Sequence, residues 1–496
     1  MCGKQKGSMR GVVLICAAAS ALYLLLGSMC SPLYPLNIWV DANCLLTVGR
    51  VMKEGGVLYR DVYEQKGPLL YLIHMLAAMI SDSSFLGVYL FEIVSLTALL
   101  VLAQRLIRLW TGDYLACAGA LLFGACVLVS RSFARGDSAE EFCLPFLMAA
   151  LYMVCAHGKQ SEAALPGRTM FLLGLLAGCV AAIKYTALGL FIGLCAAQGV
   201  FLLLRRNVRG VLVNAGVFLA GMILPILPFV AYFAAHGALR DAFTAYIYNN
   251  IFLYRAAARS VDVIVMDIGI AGWCNASWSV LAAAGALLLA ADRLTSRFAR
   301  LAVLLGALFA GAAVFLPGAI YPYYPLVLCV FAPVALAMLL GKVRHAQKAG
   351  WGIVLIAACC SLAAVMQCSP NAFLRGVRLE DTAQGRLAAQ MEPSASLLQY
   401  SHLDDGLYLV HGVLPEEKYF VRLNVAYQEM RSALDEAVRE GRPDYVLVSW
   451  RELPREFERY TLVAVEMGYD DDMGQKPLYL YKRNDQKEGS TDGSDH

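Results

Sequence analysis

DANCLLTVGRVMKEGGVLYRDVYEQKGPLL, residues 41–70, gathers Asp41, Arg50, Lys53, Glu54, Arg60, Asp61, Glu64 and Lys66 into one stretch of a chain that is otherwise mostly apolar. Charge beside a bilayer is costly and is kept where it serves binding or chemistry. The stretch follows an apolar run at 11–29 and leads into GPLLYLIHMLAAMI at 67–80. That second segment is shorter than the ~20 apolar residues a crossing helix needs. Its reading decides the topology. If it crosses, Arg105 and Arg108 fall outside and the later basic loops invert with them. If it lies in the interface as a short amphipathic helix, every basic cluster falls on the cytoplasmic side, as the positive-inside rule requires. The second reading is adopted, and it makes 30–84 the first outer loop.

The composition agrees with a membrane frame. The 496 residues are 59% hydrophobic and 16% charged, with a mean hydropathy of +0.58, whereas soluble domains carry roughly a quarter charged residues. The net charge of +3 hides an asymmetry. Residues 370–496 hold 15 Lys and Arg against 23 Asp and Glu, and residues 1–369 hold 26 against 15. The basic excess belongs to membrane loops. No basic-aromatic strip suggests a nucleic-acid partner. The 15 cysteines include no CxxC pair, so neither a zinc site nor a disulfide framework is indicated, and Cys30 and Cys44 read as free thiols.

Lys4, Lys6 and Arg10 precede the first run and hold the N-terminus in the cytoplasm. The run lacks a small-residue cleavage site, so it reads as a helix rather than a signal peptide. Further spans are expected at 85–104, 114–130, 141–156, 170–183, 185–204, 211–234, 270–290, 301–316, 320–340 and 351–367, eleven in all. The outer features are then the first loop, the 131–141 turn, the 235–269 loop with Phe243, Tyr246, Tyr248, Phe252 and Tyr254, the PGAIYPYYP turn at 317–325, and the tail. Residues 1–369 form the membrane domain. Residues 370–483 read as a small soluble α/β unit on the outer face, with strands near 396–401, 444–450, 462–466 and 478–482 and a helix over 425–440. The polar end, 484–496, is expected to be disordered.

Each candidate residue has a plainer reading beside the functional one. Asp41, just past the first span, is placed to act on an acceptor hydroxyl, or is a solvated loop acid. Lys66, before a Gly-Pro corner, is placed to hold a phosphate, or snorkels to headgroups. Arg60, Asp61 and Glu64 add a charge network denser than snorkelling needs. In RSFARGDSAEEF, Asp137 is read as functional. Glu140 and Glu141 read better as first-turn acids of a helix capped by Asp137 or Ser138. Lys184, in a tight turn at the outer end of two spans, and Glu92, inside its helix, are ionisable groups at membrane depth. Tyr321, Tyr323 and Tyr324 are explained by an aromatic belt, with a site role as the alternative. No nucleotide loop, HExxH or GxSxG of useful context occurs, which argues against nucleotide-driven transport and against serine or zinc hydrolysis.

The acid after the first span, the segment YRDVYEQKGPLLYLI, the second outer acid at Asp137, the GxxxGxxxxxK run from Gly174 to Lys184, the Tyr-rich late turn and the small outer C-terminal unit together resemble the GT-C superfamily of polytopic glycosyltransferases. That group contains the protein O-mannosyltransferases and the lipid A aminoarabinose transferase. The resemblance implies inverting transfer of a sugar from a polyprenyl-phosphate donor to a lipid, glycan or protein acceptor on the outer face of the cell membrane. It implies Asp41 as catalytic base or acceptor-positioning acid, with Asp137 shaping the site. Lys66, with Arg60 and Lys184 as further candidates, would meet the lipid phosphate. Lys-Gly-Pro stands here where many relatives have Pro-Pro, and Ala42 follows Asp41 in place of a second acid, which leaves a divalent cation an open matter. The competing reading is a non-catalytic lipid or polysaccharide translocator with the charged loop as its gate. A translocator places charges and helix breaks deep in several spans, whereas here the charges collect at outer ends.

Overall fold

The computed structural model describes residues 9–253, 260–293, 295–316, 321–342, 350–470 and 474–484. Helix α1, Met9–Gly27, leads into a short turn-rich connection and then α2, Val40–Lys53. α2 carries Asp41 in its first turn and Arg50 and Lys53 in its last, the charge order that the helix dipole favours. It runs through Gly49 and ends at Lys53. α3, Pro68–Ile80, starts with proline at its first position, where the missing N–H costs nothing. Its 13 residues span about 20 Å at ~1.5 Å per residue, less than the ~30 Å of a bilayer core.

The bundle continues with α4 (Leu86–Ile107), α5 (Asp113–Leu128), α6 (Ala139–Gly158) and α7 (Gly167–Ile183). Ser138 caps α6, its side chain accepting from Glu141 N–H, with Glu140 and Glu141 in the first turn. A 3-10 turn, Tyr185–Leu188, enters α8, Gly189–Leu204. α9 (Val208–Ile223) and α10 (Leu227–Ala235) meet at a 47° bend, where Pro225 and Pro228 interrupt the hydrogen-bond ladder. A short helix α11, Leu239–Ala242, runs into a π-helix over Phe243–Leu253. Of the aromatic run expected in this loop, Tyr254 lies outside the described residues.

The expected span at 270–290 is corrected. The chain folds as α12 (Val261–Cys274) and α13 (Ala276–Ala291), which meet at 114° about Asn275. Asn275 donates back to the Ala271 carbonyl and accepts from Ser132 N–H, so its amide serves the backbone groups at the break. α14 (Arg297–Phe315), a 3-10 segment (Tyr324–Phe331) leading into α15 (Ala332–Gly341), and α16 (Trp351–Cys368) complete the bundle. Among the described residues seven helices are long and apolar enough to cross a membrane, or nine if each bent pair is one span. Two more expected spans, α5 and α7, are helices of 16 and 17 residues, so length and composition do not by themselves reach eleven. Many apolar side chains face outward, Val261, Trp273, Val280 and Leu287 among them, as lipid-facing side chains do.

After α16 come α17 (Ala383–Ala388), β1 (Leu397–Gln399), α18 (Leu407–His411), α19 (Gln428–Glu440), β2 (Tyr445–Ser449), β3 (Tyr460–Tyr469) and β4 (Gln475–Arg483). They make one mixed sheet in the order β1-β2-β4-β3. β1 and β2 run parallel, with Leu398 beside Val446, and the other pairs are antiparallel. α19 buries Met430, Leu434, Ala437 and Val438 on one face. The polar end expected to be disordered lies, beyond Asn484, outside the described residues.

The C-terminal unit sits on α2. Thr47 Oγ1 donates to Asp404 at 2.7 Å, Arg50 donates to the Tyr408 and Val413 carbonyls, and Tyr63 N–H donates to the Lys418 carbonyl. The start of the charged stretch in the first outer loop is therefore a helix buried from Val40 to Arg50. Two glycines allow this packing. A Cβ on Gly49 would strike the backbone of His74 in α3, and one on Gly67 would strike the Ala182 carbonyl at the end of α7. Gly67→Ala is expected to destabilise the protein by about 1–3 kcal/mol through overpacking. Gly112→Ala, whose Cβ would meet nothing within 4 Å, should leave the melting temperature of the detergent-solubilised chain unchanged. Equal melting temperatures for the two variants would contradict the packing described.

Candidate active site

Two lysines from distant parts of the chain meet one cavity. Lys66 leaves the loop before α3, where its neighbours fix the backbone. Glu64 accepts from Gln65 N–H and Lys66 N–H at 2.7 and 3.0 Å, and Tyr59 OH donates to the Lys66 carbonyl. The Lys66 ammonium lies 2.8 Å from Asp41 Oδ1 and 3.3 Å from Glu64 Oε1. Asp41 Oδ2 accepts from Tyr323 OH at 3.0 Å. Lys184 stands in extended backbone between α7 and the 3-10 turn. It pairs with Glu140 in the first turn of α6, and its ammonium sits 3.9 Å from the Tyr324 ring centre.

The cavity between them encloses about 120 Å³. Asp41, Glu64, Lys66, Lys184, Tyr321, Tyr323 and Tyr324 line it from the helical bundle. Tyr246 and Asn250 come from the π-helix, and His402, Leu403, Leu423 and Asn424 from the C-terminal unit. Tyr321 and Tyr323 stack with ring centres 5.7 Å apart, and Asn424 donates to Tyr321 OH across the junction. The wall is thus charged on one side and aromatic on another, a combination suited to a phosphate and to a flat sugar face.

Burial works against both members of the central pair, but they protect each other. For Asp41 burial pushes the carboxyl up, yet the Lys66 charge and hydrogen bond, with that of Tyr323, outweigh it and hold the carboxyl below its usual value. For Lys66 burial pushes the ammonium down, yet Asp41 and Glu64 raise it well above its usual value. Asp41 is therefore a carboxylate and Lys66 an ammonium throughout the physiological range.

The other sequence candidates divide. Glu140 joins the site through Lys184, in addition to its place in the first helical turn. Asp137 and Glu92 are fully buried and do not line the cavity. Asp137 Oδ1 shares a 2.8 Å hydrogen bond with His74 Nε2, and the Asp137 N–H donates to Glu92 Oε1, which also accepts from Ser28. Asp137 has φ +63, a conformation that a short polar residue tolerates, so this network fixes the loop into α6. Arg60 and Asp61 pair with each other on the surface, and Arg60 donates to the His236 carbonyl, away from the cavity. Sequence reasoning did not single out His402, Asn424, Asn250 or Tyr185, all of which line the cavity. No local motif marks them.

A divalent cation does not fit the residues present. The Lys66 ammonium occupies the space between Asp41 and Glu64 that an ion would take. Among the described residues no three His, Cys, Asp or Glu side chains gather in a way that could hold a metal.

Asp404, which ties the C-terminal unit to α2, behaves differently from Asp41. Burial, only partly offset by the Thr47 and Gly406 hydrogen bonds, raises its carboxyl to about 6. Because its folded value is raised, its contribution to stability is complete below pH ~4 and is lost as pH rises through about 6. The shift corresponds to on the order of 2–3 kcal/mol. Asp404→Asn should flatten the dependence of melting temperature on pH between 4 and 7. A variant whose profile still tracks that of the wild type would show that another group sets it.

No protein-family model and no curated protein sequence matches this chain. Solved structures do match it. The crystal structure of ArnT from Cupriavidus metallidurans bound to undecaprenyl phosphate superposes with a TM-score of 0.64 at 13% identity, covering 96% of this chain and 98% of that one. The apo form of the same protein gives 0.64 at 12% identity, over 95% and 98%. The oligosaccharyltransferase of Archaeoglobus fulgidus, in complex with Zn and sulfate, gives 0.49 at 13%, over 94% and 72%. At this identity the likeness establishes architecture alone: over nearly its whole length this chain has the fold of ArnT.

Proposed function

We propose that this chain is a multi-pass membrane glycosyltransferase that moves a sugar, with inversion, from a polyprenyl-phosphate donor to an acceptor on the outer face of the cell membrane. One observation carries the reading: in the fold of a protein crystallised with undecaprenyl phosphate, two ammonium groups converge on a single cavity where the C-terminal unit meets the bundle. Each ammonium has three N–H donors. Lys66 uses two on Asp41 and Glu64, which leaves one for a phosphate oxygen. Lys184 uses one on Glu140.

The chemistry asked of the protein is modest. The leaving group is already a phosphate, so the site must hold it, stabilise its charge as the glycosidic C–O bond breaks, and keep water out. Lys66 and Lys184 supply the positive charge. Asp41, with both oxygens engaged, serves as a fixed negative charge beside the sugar ring, where it offsets positive charge developing at the anomeric carbon. The tyrosines supply the face on which the ring lies. Attack from the side opposite the phosphate inverts the anomeric centre.

Undecaprenyl phosphate should raise the melting temperature of the purified chain. Lys66→Gln and Lys184→Gln should each weaken its binding by roughly 10- to 100-fold, the worth of one charge-assisted hydrogen bond. Unchanged affinity in both variants would remove the phosphate role. Asp41→Asn should insert normally and lose sugar transfer by at least ~100-fold. Reporter fusions at Ser81 and Gly112 should report outside and inside respectively. The reverse pattern would mean that α3 crosses the membrane.

A further inference from the structure

The cavity has a group that the ion pairs do not employ. His402 lies in the segment between β1 and α18 and lines the cavity beside Leu403. Its ring is half-buried. Neither ring nitrogen has a hydrogen-bond partner among the described residues, and Nδ1 is shut off from solvent. A buried imidazole left without partners is costly, and such a group at a cavity wall is suited to a partner that arrives with a ligand. The bases around it are committed. Asp41 gives one oxygen to Lys66 and the other to Tyr323, and Glu64 gives one oxygen to Lys66 and the other to two backbone N–H groups. Among the described ionisable groups lining the cavity, His402 is the uncommitted base.

We propose that His402 is the catalytic base of the transfer, and that the acceptor presents its hydroxyl from the side of the C-terminal unit. This rests on the glycosyltransferase reading above and adds the proton's destination to it. The acceptor oxygen forms its bond to the anomeric carbon. The bond from that carbon to the phosphate oxygen breaks, and the electron pair leaves with the lipid phosphate, held by Lys66 and Lys184. The acceptor's hydroxyl proton passes to the His402 ring and is later returned to water. A base works best when its affinity for the proton lies near the working pH, and a neutral imidazole meets that condition better than a carboxylate locked in an ion pair. Burial lowers the His402 value, as does Lys476 on β4, while Asp405 on its own segment and Asp41 on α2 raise it, with a net lowering. The remaining charged groups on the cavity, Glu64, Lys66 and Lys184, are bound in ion pairs. Placing the base on the C-terminal unit couples acceptor choice to that unit, whose Leu423 and Asn424 also line the cavity.

The test uses the full chain in nanodiscs, labelled undecaprenyl-phosphate hexoses and pentoses as donors, and a detergent extract of host membranes as acceptor. The wild type should lose rate at low pH along an acid limb at or below the ordinary histidine value. His402→Gln should lose kcat by ~100-fold or more and lose that limb, with undecaprenyl phosphate affinity within about twofold of wild type. If His402→Gln melts early, His402→Asn is measured and the acid limb alone decides. A variant with wild-type rate, or with a reduced rate and the limb intact, overturns the assignment while leaving the glycosyltransferase reading in place. A wild-type chain that binds undecaprenyl phosphate no better than Lys66→Gln, and transfers none of the labelled sugars, overturns both.

Discussion

The ion pair between Asp41 and Lys66 is the constraint around which the site is arranged. Two charges taken out of water pay a large desolvation cost, and their attraction repays it only when the remaining donors and acceptors are also satisfied. Here they are. Tyr323 donates to the second Asp41 oxygen, Glu64 shares the ammonium, and the Glu64 carboxylate also receives two backbone N–H groups from its own loop. Such a pair is a weak source of stability but a strong source of position, because removing any partner leaves a buried charge exposed to its own desolvation. It draws together three parts of the chain: the start of α2, the loop before α3, and the tyrosines before α15.

The surroundings hold that arrangement in place. α2 is wedged between α3 and the C-terminal unit, and Gly49 and Gly67 allow backbones to approach where any side chain would collide. Behind the cavity, His74, Asp137, Glu92 and Ser28 form a buried polar chain that fixes the left-handed turn into α6. That turn sets where Glu140 stands, and so where Lys184 is held. The acid that the sequence singled out at Asp137 thus acts on the cavity through the backbone of its own loop. The cavity is also closed by the C-terminal unit, which contributes four of its lining residues.

Most of the helical frame was legible in the sequence, because an apolar run long enough to span a bilayer is a local property. The stretches at 11–29, 85–104, 141–156, 301–316 and 351–367 each became one helix within a few residues. The four strands of the tail were also legible, as short runs rich in aliphatic and aromatic residues, as was the helix ending at Glu440. The break at Asn275 was not, since a single asparagine within an apolar stretch carries no local signal for a 114° turn. Within the site, Asp41, Lys66, Lys184 and the Tyr321–Tyr324 turn stood out as charge or aromatic density at membrane ends. His402 and Asn424 did not, because their importance comes only from what the C-terminal unit is packed against.

What the sequence determined by itself is therefore the solvent and the inventory. Its hydropathy demands a membrane, its apolar runs set helix lengths, and the charges of its membrane domain gather mostly in a few segments at helix ends. Both follow from free energies of transfer, which depend on residue type and near neighbours alone. The tertiary structure decided which charges meet. Lys66 pairs with Asp41 across 25 positions, Lys184 with Glu140 across 44, and Tyr323 reaches Asp41 across 282. No local pattern encodes such pairings. They arise when packing of glycine-lined helices and the seating of a separate sheet fix where each side chain can reach, and burial then makes every unpaired charge too costly to leave alone.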